Sequence, residues 1–440
     1  MWLTRQDTHV VDVMRGASIA GSLKIISGGL QFSLNVVLGR LLGVEGAGVY
    51  FLALTIVTIA STIGRVGLDS TVIRFVSASA SAQKWAEVIA VYRAAILIAI
   101  ACSVVILGVV AFSTTALATL VFSEPALVAP LRAMGLAIVP LALNVVISRA
   151  LQGLSDIRNS VLVFSILPTG LALCGTLLLA TSWAVSGAAI AYVVGISISV
   201  VYGAFAWRRA FANSSFGYSG TRNALPVKTL LASGPPLLTG ALLQLVISMS
   251  GTLLLGVWAE TRDVSIFAVA WRTALLINLV LLAVNSIAQP KFAALYARNE
   301  MKALAVTTKK VTLLMTALAT PPFLVLLLAP TFVMKAFGSD FGDGATTLQV
   351  LAVGQFINVA TGSVGVLLVM CGYERDYRNV QVAAAGVVLM LSYLLTPAYG
   401  AVGAAIAAAS ALIVQNVWFG YLVWVRLGIL GVGPRSSTDA

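Results

Sequence analysis

The sequence predicts an all-α polytopic membrane protein, with about twelve transmembrane helices in two six-helix parallel repeats around a central cavity. The first observation is composition: 60% of the 440 residues are hydrophobic and only 10% are charged. A soluble domain cannot bury that much apolar surface. The second observation is an internal repeat, and the third is an alternation of basic and weakly charged loops between the hydrophobic segments.

The internal repeat consists of three short motifs that recur in the same order. They are Asp156–Asn159 with Asp376–Asn379, Gly187–Ala191 with Gly403–Ala407, and Leu41–Val44 with Leu254–Val257. The offsets of 220, 216 and 213 positions are nearly constant, which indicates two tandem copies of one unit. A polar segment separates the copies. We therefore expect an N-terminal six-helix lobe over residues 1–207, a cytoplasmic linker over 208–228, and a C-terminal six-helix lobe over 229–440.

Hydrophobic runs of roughly 18 to 26 residues occur about twelve times, and each is long enough to cross a ~30 Å hydrocarbon core. The expected spans are Ala17–Leu42, Gly46–Leu68, Ile89–Phe112, Leu131–Leu151, Ser160–Thr181, Trp183–Trp207, Leu230–Trp258, Val264–Gln289, Leu304–Ala329, Ala345–Cys371, Val380–Thr396 and Ala401–Val425. Because no apolar signal sequence precedes the first span, we expect that span to target the chain and to remain in it.

The basic residues predict the orientation of the chain. Most of the 27 Lys and Arg residues lie in one alternating set of loops, and the opposite loops hold Arg40, Arg132, Arg262 and Lys335. Positive charge is retained in the cytoplasm, so both termini are expected there. Each copy has an even number of spans, so the copies share one orientation. We expect an axis along the membrane normal to relate them, with a substrate path between them.

Several local motifs favour structural roles. The loops Asp69–Lys84 and Lys291–Lys302 are expected to form short helices on the anionic inner leaflet. Asp156 and its repeat mate open spans five and eleven, where an acid caps free backbone N–H groups; a gating contact between the halves is the alternative. Small residues in the Gly187 motif allow close helix packing. Pro235-Pro236 must bend or interrupt span seven, as part of a pathway or as a plain kink.

The first span carries the most informative polar face. Lys24, Gln31 and Asn35 lie within about 40° of one another on a helix, because they are separated by seven and four residues. Lys24 stands roughly 10 Å inside the span, where a polar group is costly unless it faces protein or water. Lys24 could reach the headgroups by snorkelling. Gln31 and Asn35 are deeper and cannot, so we favour a cavity.

Other spans offer weaker polar candidates. Gln244 aligns with Gln31 in the repeat and shares span seven with Ser248. Span eight carries Asn278, Asn285 and Gln289 on one face, and span two carries the stripe Thr55, Thr58, Thr62 and Arg65. Arg272 lies in span eight, roughly 120° away from the asparagine face. It could face a cavity, pair with another helix, or snorkel outward.

Acids are absent from the middle of every expected span, and His9 is the only histidine. The chain therefore lacks the buried carboxylate or histidine that usually carries a proton or sodium ion, or holds a cationic drug. It also lacks a nucleophile–base pair, a phosphate loop and a metal cluster, so we expect neither an enzyme nor a cofactor. The net charge of +12 follows the cytoplasmic loops and does not indicate nucleic acid.

The chain resembles a family on several glycine-rich motifs. These are Leu41–Gly43, Gly46–Tyr50, Gly67-Leu68 with Arg74-Phe75, and Gly400–Ala407. They resemble the multidrug/oligosaccharidyl-lipid/polysaccharide exporter superfamily, particularly its polysaccharide and O-antigen flippases. The resemblance implies a V-shaped pair of lobes around a cavity that opens alternately to each side of the bacterial cytoplasmic (inner) membrane. It also implies an undecaprenyl-diphosphate-linked glycan as substrate, moved from the inner to the outer leaflet.

Membrane lipids and polysaccharide polymerase machinery are the other partners that the resemblance implies. In related lipid II flippases, cavity cations lie on the first and eighth helices, where this chain has Lys24 and Arg272. Lysine at position 24 departs from the arginine of those relatives, and their two extra helices are missing here. The expected substrate-binding residues are therefore Lys24, Gln31, Asn35, Gln244 and Arg272.

Two alternative functions remain open. A drug or metabolite cation antiporter of the same superfamily would be expected to carry an acid within the first or seventh span. An integral-membrane polysaccharide polymerase or glycosyltransferase would need a larger extramembrane loop. Neither feature is present in the sequence, so the flippase interpretation is preferred.

Overall fold

The structure, a computed structural model, describes residues 5–212, 227–430 and 433–434, and nearly all of these are helical. The helices are α1 (Arg5–Gly64), α2 (Leu68–Ser81), α3 (Trp85–Ala116), α4 (Val128–Gly135), α5 (Ile138–Gly153), α6 (Ile157–Val161), α7 (Leu167–Ala212), α8 (Val227–Trp258), α9 (Thr261–Ala274), α10 (Asn278–Ala297), α11 (Met301–Leu328), α12 (Pro330–Lys335), α13 (Ala345–Ala360), α14 (Val364–Met370) and α15 (Glu374–Leu427). A minimal antiparallel ladder pairs β1 (Ile429–Leu430) with β2 (Gly433–Pro434).

Seven helices of the described ranges are long and apolar enough to cross a membrane, or nine if each of two bent pairs forms one span. The bent pairs are Pro125–Gly135 with Ile138–Gly153, at 46°, and Ser339–Ala360 with Val364–Met370, at 41°. The chain is therefore an all-α multi-pass membrane protein, which confirms the predicted fold class. The number of twelve spans stays a prediction.

Three of the long helices are divided by one non-helical residue. These residues are Gly43 in α1 (φ 69°), Ala184 in α7 (φ 44°) and Gly400 in α15 (φ 52°). An unbroken α15 of 54 residues would be roughly 80 Å long, against a hydrocarbon core of ~30 Å. The breaks at Gly43 and Gly400 fall between two expected spans, and the break at Ala184 falls at the second residue of expected span six, Trp183–Trp207.

The chain reverses direction at Ala184 and at Gly400. A Cβ added to Gly187 would lie 2.3 Å from the carbonyl oxygen of Leu179, and one added to Gly403 would lie 2.2 Å from that of Leu395. Residues eight positions apart in one straight helix are separated by about 12 Å. The segments on either side of each break therefore pack against each other, and the recurring glycine permits this close approach.

The described residues form two compact units: Ser22–Leu245, here the N-terminal unit, and Val246–Ala440 with Met1–Gly21, here the C-terminal unit. The division falls within α8. Much of the expected linker 208–228 lies outside the described residues. In the N-terminal unit the core contains Val72, Val146 and Trp207, with the Tyr92 ring stacked on that indole at 4.0 Å. In the C-terminal unit it is built from α10, α11, α14 and α15.

Of the two expected surface helices, one forms as a separate helix and the other does not. The first forms as α2, whose buried residues include Leu68, Val72 and Val76. The second does not form as a separate helix, because α10 continues to Ala297 and α11 begins at Met301. Gly67 at φ 74° separates α2 from α1, whereas the corresponding stretch of the second copy contains no glycine. The prediction of a separate helix over 291–302 is therefore wrong.

The two Asp-x-Arg-Asn motifs are used differently. Asp156 caps α6, because its side chain accepts a hydrogen bond from the Asn159 backbone N–H at 3.2 Å. This confirms the predicted cap in the first copy. Asp376 lies in the first turn of α15 and accepts a hydrogen bond from Nε of Arg426 at 2.9 Å.

Pro235 and Pro236 fall within α8, which is helical from Val227 to Trp258.

Candidate functional site

Lys24 lies in the N-terminal unit beside a second cation. Its side chain is half-buried, and it interacts electrostatically with Arg149 near the end of α5. The Arg149 guanidinium donates a hydrogen bond to Oε1 of Gln152 at 2.8 Å and lies 5.6 Å from the centre of the Phe164 ring. Packing on an aromatic face and a neutral amide leaves its positive charge unneutralised.

Arg65 is the third cation of this region. It follows the last turn of α1, donates a hydrogen bond to Oγ1 of Thr62 at 2.7 Å, and interacts electrostatically with Asp69 and Arg149. Its Nε is buried and has no hydrogen-bond partner among the described residues. We call Lys24, Arg65 and Arg149 the cationic cluster.

The cationic cluster is not matched by ion pairs. The described residues contain three salt bridges, Lys84–Glu87, Arg262–Asp343 and Arg426–Asp376, and none includes a cluster member. The Asp69 carboxylate offsets part of the positive charge of one member, Arg65. Like charges in a partly buried region raise the free energy unless an anion joins them. The cluster is therefore suited to bind an anionic group.

Sequence reasoning singled out Lys24 but not Arg149. Arg149 lies on α5, which packs beside α2 with Gly153 against Val76, and no local pattern in the sequence indicates which helices neighbour α5. Arg65 was visible as the end of the threonine stripe in span two. The stripe itself is not a free polar face, because Thr55, Thr58 and Thr62 each bond a backbone carbonyl four residues earlier.

Gln31 and Asn35 share the segment of α1 before Gly43 with Lys24, and their surroundings differ. Asn35 is buried, with 3% of its surface exposed, and its Oδ1 has no partner among the described residues. Gln31 is exposed, and its Oε1 accepts a hydrogen bond from Oγ1 of Thr169 at 3.5 Å. The three residues thus range from buried to exposed along one helix.

Gln244 and Arg272 lie in different units. Gln244 is an exposed residue of α8 in the N-terminal unit. Arg272, in the last turn of α9 in the C-terminal unit, is partly buried and donates a hydrogen bond to the backbone oxygen of Ala268 at 3.1 Å. This bond anchors its guanidinium to its own helix, one turn earlier.

A chain of neutral side chains crosses the C-terminal unit. Thr361 donates to Asn416 at 3.2 Å, and Asn416 donates to Asn358 at 2.9 Å. Asn358 donates to Asn278 at 3.1 Å, and Asn278 donates to Gln355 at 2.6 Å. We call these five residues the amide network. It connects α10, α13 and the last segment of α15, and Gln355 at its end is 1% exposed.

A cavity of about 250 Å³ adjoins the amide network. Its polar lining includes Asn285, Gln289, Asn358, Ser363, Gln415 and Asn416, and its aromatic lining is Tyr377 and Phe419. The asparagine face predicted for span eight supplies three of the residues involved: Asn278 joins the network, and Asn285 and Gln289 line the cavity. Sequence reasoning missed the partners on α13 and α15, although Gln355 and Asn358 share a helix face at i, i+3 spacing.

Similar solved structures are membrane transporters. An inward-facing multidrug resistance MATE family transporter of the MOP superfamily is 17% identical, with a TM-score of 0.73, and the match covers 97% of this chain and 100% of that one. The lipid II flippase MurJ in an inward closed conformation is 14% identical, with a TM-score of 0.70, over 92% of this chain and 87% of that one.

A MOP superfamily transporter from Pyrococcus furiosus is 15% identical, with a TM-score of 0.64, over 95% of this chain and 96% of that one. At these identities the likeness shows the fold, and the fold is the one that the glycine-rich motifs predict. No curated protein sequence matches the chain. The model of the family described as "Polysaccharide biosynthesis protein" matches residues 13–295, well over half of the sequence. The chain therefore belongs to the polysaccharide biosynthesis protein family.

Proposed function

We propose that the protein translocates a lipid-diphosphate-linked oligosaccharide from the inner to the outer leaflet of the bacterial cytoplasmic membrane, for the synthesis of a cell-surface polysaccharide. The observation that carries this proposal is the cationic cluster of the N-terminal unit. A diphosphate is the anion that such a substrate presents, and three cations without matching carboxylates suit it. Membership of a polysaccharide biosynthesis family supports the glycan part of the proposal.

The charge balance also supports an anionic substrate over a cationic one. Among the described residues, the carboxylates of the apolar helices lie near helix ends or breaks, as Glu45, Glu87, Asp263 and Glu374 do. A cationic drug would need a carboxylate where it binds. A cation antiporter is therefore the weaker candidate.

One contact between Lys24 and a phosphate oxygen at about 4 Å contributes on the order of 4 kcal/mol at an effective dielectric near 20, before desolvation is subtracted. Losing a contact of this size should be visible in turnover. The diphosphate also needs Lys24 in its charged form, so the lysine must be replaceable by arginine more readily than by a neutral residue.

The test is complementation of a flippase-deficient strain. Lys24→Ala should abolish or strongly reduce glycan export, Lys24→Arg should keep much of it, and Lys24→Glu should be the worst. Gln31→Leu and Asn35→Leu should have smaller effects, and Arg272→Ala should also lower export. Lys84→Ala is the matched control, because Lys84 is exposed and already pairs with Glu87 at 3.2 Å. Membrane abundance is measured for every variant.

Normal export by both Lys24→Ala and Lys24→Glu would show that this lysine merely snorkels, and the proposal of an anionic substrate would then fail.

The flipped glycan would be consumed outside the membrane by a polymerase, which is the partner expected to act next. The proposal places both termini in the cytoplasm.

A further inference from the structure

The cavity of the C-terminal unit lies at a helix break. The chain leaves α13 at Ala360 and enters α14 at Val364 with a bend of 41°, and Gly362 between them has φ +79°. All described residues that line the cavity fall between Leu281 and Phe419, so the cavity belongs to this unit alone. Broken helices inside a membrane are tolerated where they line a cavity.

The first copy of the repeat has no break at this place, and its own bend of 46° lies at residues 136–137 instead. The repeat offsets of 216 and 220 residues place Gly362 at Val146 or Ala142, both fully buried in the unbroken helix α5. Ser363 then matches Ile147 or Leu143, which are both apolar and pack in or against the core. One six-helix unit therefore folds with a filled core at this place. The second copy has a break and a polar residue there.

At two further positions, Gln415 and Phe419, a residue that lines the cavity in the second copy corresponds to a smaller residue in the first copy. Gln415 corresponds to Ser199, whose hydroxyl donates to the Val163 carbonyl at 2.8 Å. Gln415, by contrast, has a buried Oε1 without a hydrogen-bond partner among the described residues. Phe419 corresponds to Gly203, where an added Cβ would lie 2.9 Å from Ile147. The fold does not require the cavity, so its polar lining points to a ligand.

The lining identifies the chemistry of that ligand. Its polar groups are amides, a serine hydroxyl and a tyrosine phenol, with no charged side chain among the described lining residues. Amides both donate and accept hydrogen bonds, as sugar hydroxyls do. Gln415 lines the cavity, and its amide oxygen has no hydrogen-bond partner among the described residues. Tyr377 and Phe419 stack in parallel, with ring centres 5.0 Å apart, and give the cavity an aromatic wall.

Other ligand classes fit less well. An anion would find no cation among the described lining residues, and a bare metal ion would find no carboxylate. The volume of about 250 Å³ is far larger than a single ion or water molecule needs. It is enough to admit a sugar ring.

We propose that this cavity is a binding site for a single uncharged sugar ring, held by Gln415, Gln289 and Asn285 against the aromatic wall of Tyr377 and Phe419. The assignment of this ring to the transported glycan rests on the proposed function. The existence of the cavity and the chemistry of its lining do not depend on that function. The site recognises hydroxyls, whereas the cationic cluster recognises the diphosphate.

The test measures ligand binding to the purified full-length protein by saturation-transfer NMR and thermal stabilisation. The probes are a panel of methyl glycosides of hexoses and N-acetylhexosamines and, separately, undecaprenyl diphosphate. The variants are Gln415→Met, which keeps length but removes the acceptor, and Val366→Phe, which fills the cavity. Val382→Phe, at an exposed position of α15, is the matched control. Size-exclusion chromatography establishes that each variant is folded.

Saturable binding of at least one glycoside is expected, about tenfold weaker or absent in Gln415→Met and Val366→Phe and unchanged in Val382→Phe. Binding of undecaprenyl diphosphate should be unchanged in these variants and reduced by Lys24→Ala. If the diphosphate binds but no glycoside does, the sugar site is overturned and the proposed function stands. Sodium-dependent stabilisation that Gln415→Met removes, without a glycoside response, would also overturn it. If glycosides bind as expected but the diphosphate does not, the proposed function fails instead.

Discussion

Arg149 is the residue through which the three cations of the cluster influence one another, since it acts on both Lys24 and Arg65 as a like charge. Its own stabilising contacts are neutral: the Gln152 amide and the Phe164 ring. A guanidinium can present two parallel N–H groups to a phosphate, which a lysine cannot do. Arg149 is therefore the member best suited to orient a diphosphate.

At this residue scale, Arg149→Gln should reduce glycan export by roughly ten- to a hundredfold, because the substrate loses a charge-assisted contact of about 1.5–3 kcal/mol. Arg149→Lys should retain part of the activity. The measurement is the complementation assay, with export normalised to membrane abundance. Arg158→Gln, at an exposed position on α6, is the matched control for loss of one cytoplasmic charge. If both glutamine variants export equally well, the cluster does not bind the substrate.

Lys24 could be predicted from the sequence, because a cation several residues inside a hydrophobic run is unusual in any membrane helix. Arg149 and Gln415 could not be singled out in this way. Arg149 stands beside a loop, and Gln415 is one of several amides in long spans. Their roles depend on which helices pack together, and no local pattern encodes that.

At the scale of elements, the two helix reversals are built alike but on different residues. The first reversal places Ala184 at φ 44° and the second places Gly400 at φ 52°, and these positions are 216 residues apart like the glycines that follow them. A Cβ at positive φ costs roughly 1 kcal/mol, which glycine avoids. The first copy therefore carries strain that the second copy lacks.

Ala184→Gly should accordingly raise the melting temperature of the purified protein, by an amount corresponding to about 1 kcal/mol. Gly400→Ala should lower it, because the new Cβ would lie 2.6 Å from Oδ2 of Asp263 in addition to the unfavourable φ. Thermal unfolding in detergent, followed by intrinsic fluorescence, measures both. A lower melting temperature for Ala184→Gly would show that this turn is not strained.

The glycine after each reversal gives a second prediction for the same elements. Gly403→Ala should destabilise the protein by about 1–3 kcal/mol or more, because its Cβ would overlap the Leu395 carbonyl at 2.2 Å. Gly386→Ala is the matched control on α15, since nothing lies within 4 Å of an added Cβ there. The control should keep or raise the melting temperature. Equal melting temperatures for both variants would mean that the helices do not approach closely at Gly403.

The sequence predicts these elements well where a glycine or a change of hydrophobicity marks the boundary. The breaks at Gly43 and Gly400 fall between expected spans, and the break at Ala184 lies one residue inside an expected span boundary. It predicts them poorly where the helix simply continues. α10 runs on to Ala297 through a basic stretch that was expected to form its own helix. The charge pattern predicts that this stretch lies at the cytoplasmic surface, but charge alone does not end a helix.

At the scale of the whole molecule, the repeat has diverged in chemistry while keeping its helical plan. The N-terminal unit holds the cationic cluster, and the C-terminal unit holds the neutral amide network and its cavity. The first copy has the apolar core residues Ile147 and Leu143 in the region where the second copy has the polar Ser363. Such a division suits a substrate with a charged diphosphate and an uncharged glycan.

The predicted orientation of the entire chain can be tested with reporter fusions. Fusions after Arg209, Arg298 and Arg435 should report a cytoplasmic location, because basic loops remain inside. Fusions after Glu124, Arg262 and Asp340 should report an external location. If Gly43, Ala184 and Gly400 each divide a helix into two spans, the seven long helices become ten, and the two bent pairs bring the total to twelve.

An alkaline phosphatase and a fluorescent-protein reporter at each site give opposite signals, so that poor expression is not mistaken for a location. The fusions after Arg262 and Arg298 bracket α9 and α10, which include one expected span, and they should therefore differ. Agreement at all six sites would support two copies of six spans with one orientation. A reporter on the unexpected side at Arg209 would add or remove a span in the first copy, and the two copies could then no longer share one orientation.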